Sequence, residues 1–434
     1  MPAPYSGGMT SLRSLGVLRR LPEIPVRRIA LRALALYGLA FGAVPVAAAA
    51  GVTAYDVMKR RDRKRRPAER PGTFDAQVQE SRLTIFTHGG DLFDDMIAAI
   101  DGAQESVKLE TYIWKADATG QRFMEAVNRA AERGVQVWIQ YDGFGNLVVP
   151  RRFYRQFHPD VHVFRLPAFA RPYWRGLVRT TGFNHSKILV VDGRVGYVGG
   201  YNIGDEYARE WRDTHVKEDG PAVWGLDHSI SSVWNAVHEA GEDMAWVEPR
   251  SWDPAVTVAA NLPLRLVYPI RAHYLEAIDR AQRHIYISTP YFIPDQQVLE
   301  ALKMAARRGV DVRVMIPKDS NHVVADWVSR GFFEEMREAG ITIVLYAAGM
   351  IHAKTATIDG VWSTVGTANI DRLSLSFNYE TNLSVVDRDF AARMEEIFAA
   401  DEAVSEVFSD ELWQERHRFA RVVEVLLRPL RPLL

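Results

Sequence analysis

One pattern occurs twice in this chain and limits what it can fold into. His185, Lys187, Asp192, Gly199, Gly200 and Asn202 form the first copy; His352, Lys354, Asp359, Gly366, Thr367 and Asn369 form the second. Both read H-x-K-x4-D-x6-G-[GT]-x-N, and each His is followed 28 residues later by a carboxylate, Asp213 or Glu380. Neighbouring text repeats too: residues 131–137 match 306–312, and 111–117 parallel 289–295. An internal duplication of this size predicts two related units facing each other. One His, one Lys, one Asn and one acid per unit predict a single site built from both.

Within each unit the hydrophobic periodicity alternates between helix and strand. Helices are expected over 94–104 and 122–133, with strands over 106–114 and 134–142. The second unit repeats the order, with helices over 273–282 and 297–308 and strands over 284–292 and 309–317. Such alternation predicts an α/β fold of two pseudo-symmetric sandwich halves. The expected domains are residues 1–72, an anchor and basic linker, then halves over 73–250 and 251–434, the latter with an amphipathic tail.

Each H-x-K is expected on a strand, over 186–191 and 353–358. Side chains two apart on a strand share a face, which explains the spacing of His and Lys. Asp192 and Asp359 close those strands before Gly193 and Gly360, so they read as turn or capping carboxylates. The strands over 195–199 and 362–366 then deliver Gly and Asn to the same end.

The net charge of −1 hides a split: residues 1–72 carry 14 Lys/Arg against 4 Asp/Glu, the rest 39 against 50. An acidic body argues against a general nucleic-acid binder. Residues 33–55 hold no charge, and a 23-residue helix is long enough for a hydrocarbon core of about 30 Å. Basic residues flank the run, most densely Lys59, Arg60, Arg61, Arg63, Lys64, Arg65 and Arg66. A single-pass anchor in the inner (cytoplasmic) membrane with a cytoplasmic body is therefore expected. The alternative is a cleaved signal peptide ending near Ala47–Ala50.

Two Lys and two Asn converging would grip a tetrahedral phosphate. One His could attack phosphorus while the other protonates the leaving oxygen. A carboxylate behind each imidazole would fix its tautomer, a role suited to Asp213 and Glu380. The chain has no cysteine, and an ammonium beside each His disfavours a cation, so neither metal nor cofactor is expected. His158, His162, His228 and His322 lack such company and read as ordinary polar residues.

The duplicated motif resembles that of the phospholipase D superfamily over about residues 80–410. The resemblance implies a phosphohistidine intermediate, with His185 as nucleophile and His352 as acid and base. It also implies phosphate binding by Lys187, Lys354, Asn202, Asn369 and Thr367, and pairing of Asp213 and Glu380 with the histidines. The family commonly has Ser after the motif Gly; here Gly200 and Thr367 stand there. Residues 199–207, 211–215, 289–295 and 349–354 are similar to bacterial cardiolipin synthases. That implies an anionic phospholipid substrate, phosphatidylglycerol, and cardiolipin as product, with no nucleic acid partner. A hydrolase using water, or an anchored phosphodiesterase, are the alternatives. Many such synthases have two N-terminal spans, and this chain shows one apolar run.

Two more segments point to a membrane. Residues 150–180 mix seven Arg with seven aromatic residues, and 416–434 pair Arg with apolar residues at helical spacing. Both suit an anionic lipid interface. They equally suit a solvated loop, or one that stacks on single-stranded nucleic acid, and a helix packed on the body.

Overall fold

A computed structural model describes residues 43–60, 71–167, 182–238 and 253–409, with isolated positions over 243–248 and 423–431. The first half runs from α1 (Val44–Arg60) through β1 (Thr73–Val78), β2 (Ser81–His88), α2 (Gly89–Gly102), β3 (Ser106–Thr111), α3 (Ala118–Glu132) and β4 (Gln136–Asp142). It continues with α4 (Arg151–Tyr154), β5 (Val161–Leu166), β6 (Ile188–Val191), β7 (Val195–Gly199), α5 (Asp205–Arg209), β8 (Trp211–Asp219) and α6 (Val223–Val237).

The second half repeats this plan. It runs β9 (Val256–Asn261), α7 (Pro269–Arg280), β10 (His284–Ser288), β11 (Phe292–Ile293), α8 (Gln296–Arg307), β12 (Asp311–Pro317), α9 (Val323–Arg330), α10 (Phe333–Glu338) and β13 (Thr342–Tyr346). Then follow β14 (Met350–Ile351), β15 (Thr355–Ile358), β16 (Trp362–Gly366), β17 (Ile370–Asp371), α11 (Arg372–Ser376), β18 (Glu380–Val386), α12 (Arg388–Ala403) and β19 (Ser405–Val407).

The two sheets have matching orders. The first is β1-β2-β8-β7-β6-β3-β4-β5; the second is β9-β18-β16-β15-β10-β12-β13-β19. In each, the parallel βαβ pair (β3 with β4, β10 with β12) lies beside the antiparallel motif hairpin (β6-β7, β15-β16). The helices form where expected. Asp117 caps α3 through Gly120 N–H, and Asp295 caps α8 through Gln297 and Val298 N–H, the repeated Asp in the repeated text.

The sheets face each other across one shared core. Val198 and Val216 of the first sheet, Val365, Leu383 and Val385 of the second, and Phe390 and Met394 of α12 belong to a single buried cluster. A buried ion pair fastens this seam: Arg212 Nε and Nη2 meet the two oxygens of Asp401 at 3.0 and 2.8 Å. Both side chains are almost wholly removed from solvent.

The described residues do not support the N-terminal expectation of a membrane-spanning helix. Residues 33–42 lie outside the described residues. The remainder of the apolar run is the start of α1, where Val52 is buried in the second half's core beside Ala48 and Ala49. No helix among the described residues is long and apolar enough to cross a membrane. The Ala-rich part of the run has small side chains that allow close helix packing, and α1 lies against α9. Of the expected interfacial segments, residues 168–180 and most of 416–434 also lie outside the described residues.

Removing one partner of a buried pair strands the other charge. Asp401→Ala is expected to lower unfolding stability by about 3–5 kcal/mol, read as a reduced denaturant midpoint. Glu396→Ala, an exposed partner of Arg393 on the same helix, is expected to change little.

Candidate active site

Both H-x-K segments lie just before their strands rather than within them. Each is pinned to the opposite half instead. Asn184 bridges to Tyr379 in parallel, with His185 N–H donating to Tyr379 O at 3.0 Å. β14 adds parallel to β8, and His352 N–H donates to Arg212 O at 2.6 Å. In both places the residue before the His stands opposite the residue before the acid of the other half.

The acids are therefore exchanged. His185 Nδ1 lies 3.0 and 3.1 Å from the oxygens of Glu380. His352 Nδ1 lies 2.6 Å from Asp213 Oδ2. The matched spacing of 28 residues singled out both acids without saying which histidine each would serve. The structure joins each to the histidine of the other half, because parallel strand addition across the seam brings those backbones side by side. A carboxylate on Nδ1 favours the proton there, which leaves Nε2 with its lone pair for chemistry.

Lys187 Nζ donates to His185 O at 2.6 Å, and Lys354 Nζ donates to His352 O. Aromatic rings wall the pair: Tyr112 lies 4.8 Å from the His185 ring and Trp211 4.9 Å from the His352 ring. Burial pulls every titratable group toward its neutral form. It lowers His185, partly opposed by Glu380, and lowers His352 strongly, aided by the charges of Lys354 and Lys187. It pushes Lys187 down to about 7 and Lys354 down to about 8. It pushes Asp213 up to about 6 against the pull of Lys354.

The remaining expected residues divide. Asn202 and Asn369 are both buried beyond their motif strands. Asn202 Oδ1 accepts Ile113 N–H at 3.1 Å, whereas Asn369 Oδ1 has no hydrogen-bond partner among the described residues. The Thr367 hydroxyl donates to Glu380 Oε2 at 2.5 Å and accepts Thr381 N–H, so it holds the acid in place. Gly200, in the matching place, has another reason. A Cβ there would lie 2.1 Å from Asp213 Oδ1, so the residue must be glycine for Asp213 to reach His352. Asp192 and Asp359 are capping groups. Both have positive φ, 52° and 56°, and accept backbone N–H groups of residues 104–106 and 282–284.

Sequence reasoning missed a polar cluster behind the first motif. Glu110 Oε1 accepts from Asn184 Nδ2 at 2.5 Å and Gln140 Nε2 at 2.8 Å, and burial raises its carboxyl to about 8. Asp142 Oδ2 accepts Asn184 N–H at 2.9 Å. Glu110 shares β3 with Ser106, Lys108 and Thr111, so its strand pattern did not set it apart. The equivalent places in the second half hold Ser288, Met315 and Ile351, so the two motifs are not equally supported.

A family model described as "Cardiolipin synthase, PLD-like domain" matches residues 96–224 and 274–402, one match per half. The chain belongs to this phospholipase D-like family. A cardiolipin synthase of Clostridium perfringens (strain ATCC 13124) is 33% identical over 374 residues, 82% of this chain and 78% of the relative. One of Listeria monocytogenes serotype 4a is 32% identical over 373 residues, 82% and 76%. The phosphatidylserine synthase of Haemophilus influenzae Rd KW20 shares the fold, with TM-score 0.63 and 14% identity over 88% of this chain and 97% of that one.

Crossed pairing has a direct spectroscopic signature. Glu380→Gln is expected to move the histidine ¹⁵N resonances of His185, and Asp213→Asn those of His352; same-half pairing would give the reverse. The lysines set an alkaline limb. On the expectation that their charged forms hold phosphate, raising pH through 7–8 discharges them and weakens binding. kcat/KM on a phosphodiester is expected to fall there, far below the ordinary lysine value of 10.5. Lys187→Arg, which stays charged, is expected to move that limb upward.

Proposed function

We propose that this protein is a membrane-associated phosphatidyltransferase that joins two phosphatidylglycerols into cardiolipin and releases glycerol. One observation carries the reading: two motif histidines, each with its Nδ1 on a carboxylate of the opposite half, each stand beside a lysine of lowered pKa. The family and the named relatives give the reaction its lipid character.

His185 Nε2 attacks the phosphorus of the first lipid. The bond from phosphorus to the headgroup glycerol breaks, and protonated His352 gives that oxygen its proton. Glycerol leaves, and phosphatidyl remains on His185. His352, now neutral, takes the proton of a hydroxyl on the second phosphatidylglycerol. That oxygen attacks phosphorus, the P–N bond breaks, and cardiolipin departs. Lys187, Lys354, Asn202 and Asn369 hold the phosphate oxygens through both steps. Glu380 and Asp213 hold each imidazole and stabilise its charged form. The His185 ring, 12% exposed against 6% for His352, is the more accessible nucleophile. No metal or cofactor is needed for either step. The uncharged run over 33–55 and its basic flank support attachment to the cytoplasmic face of the inner membrane.

Lipid mass spectrometry on purified protein in phosphatidylglycerol micelles tests the reading. Cardiolipin with equimolar glycerol is expected, lost in His185→Ala and His352→Ala. Phosphatidic acid alone would make it a hydrolase. Acid-labile phosphate trapped on His352 instead of His185 would reverse the assignment of roles.

A further inference from the structure

A cavity of about 450 Å³ lies behind the aromatic rings that wall the motif histidines, bordered by Lys115, Gly145, Val148, Trp211, Asn321 and Met350. Trp211 packs on His352, and Gly145 lies against the Tyr112 ring that packs on His185. One rim is the loop between β4 and α4. Its tip carries apolar side chains into solvent: Val148 is 92% exposed and Leu147 51%. The loop base is rigid. Asp142 Oδ1 accepts Phe144 and Gly145 N–H, and Asn146 Nδ2 donates to Tyr112 O and Asp142 O. A fixed scaffold holding a Leu-Val tip in water is costly unless something apolar covers it.

The chemistry around the tip names the cover. Arg151, Arg152 and Arg155, all exposed, follow the tip directly, giving an apolar point with a cationic collar. The opposite rim, Asp319 to Asn321, leads into α9, against which α1 packs; the N-terminal apolar run therefore approaches this same side. We propose that the loop over 144–149 is a membrane-docking wedge that inserts Leu147 and Val148 into an anionic lipid surface and seats the cavity mouth on it. The inference rests on the lipid-transferring reading and deepens it. A two-chain lipid then need not leave the bilayer. Its headgroup rises past the arginines into the cavity while its acyl chains stay among apolar neighbours.

The chain has no cysteine, so single labels are clean. An environment-sensitive dye on Val148→Cys is compared with one on Arg194→Cys, in the turn at the far end of β7. With full-length protein and phosphatidylglycerol-containing vesicles, the dye at 148 is expected to shift blue and be quenched by brominated lipid, and the dye at 194 is not. With phosphatidylcholine alone the shift at 148 is expected to weaken. No shift at 148, whether or not protein sediments with the vesicles, or equal shifts at both positions, overturns the proposal.

A kinetic arm separates docking from chemistry. Leu147→Asp is expected to cut turnover of long-chain phosphatidylglycerol in vesicles at least about tenfold. Turnover of a short-chain analogue below its micelle concentration is expected to stay the same. Equal loss on both overturns the wedge. If the unaltered protein turns over neither lipid, the transferase reading fails, while the dye result still decides docking.

Discussion

The exchange of acids between the halves is the constraint on which the rest of the site depends. Neither half holds a complete histidine–carboxylate pair: His185 needs Glu380, and His352 needs Asp213. A buried imidazole that must carry charge during phosphoryl transfer needs a counter-charge within hydrogen-bond reach. Here that counter-charge arrives only when the seam closes. The parallel bridges at Asn184–Tyr379 and at β14–β8 set the register, and the Arg212–Asp401 pair fixes the backbone next to Asp213. Assembly of the site thereby requires both halves.

The halves share a plan but not their surroundings. In the first, glycine at 200 makes space for the short Asp213; in the second, Thr367 keeps its Cβ and hydrogen-bonds the longer Glu380. The buried cluster of Glu110, Gln140 and Asn184 stiffens the approach to His185 alone. Such differences give two histidines of one motif unequal environments. One ring can then act as nucleophile while the other moves protons, since the two roles need different protonation states at one pH.

Much of this was legible in the text. Asp192 and Asp359, each followed by glycine at a strand end, read as capping groups and are, because only a turn carboxylate fits three converging N–H groups there. The strand and helix pattern around the repeated text also held, with boundaries shifted by a few residues. The expected span over 33–55 finds no support among the described residues, where α1 buries Val52 against protein. Hydropathy measures how apolar a helix is, not what covers it.

The sequence by itself determined the repeat, the two α/β halves, the count of one His, Lys, Asn and acid from each, and the strand hairpin that follows each H-x-K. These are local properties, fixed by spacing and side-chain chemistry. Only the tertiary structure decided which acid meets which histidine, that Thr367 serves Glu380, and that Glu110 stands behind the first motif. Those contacts join residues 74 to 195 positions apart, apart from the short reach of Thr367. Pairing across a seam is set by backbone register and burial, which no spacing along the chain records.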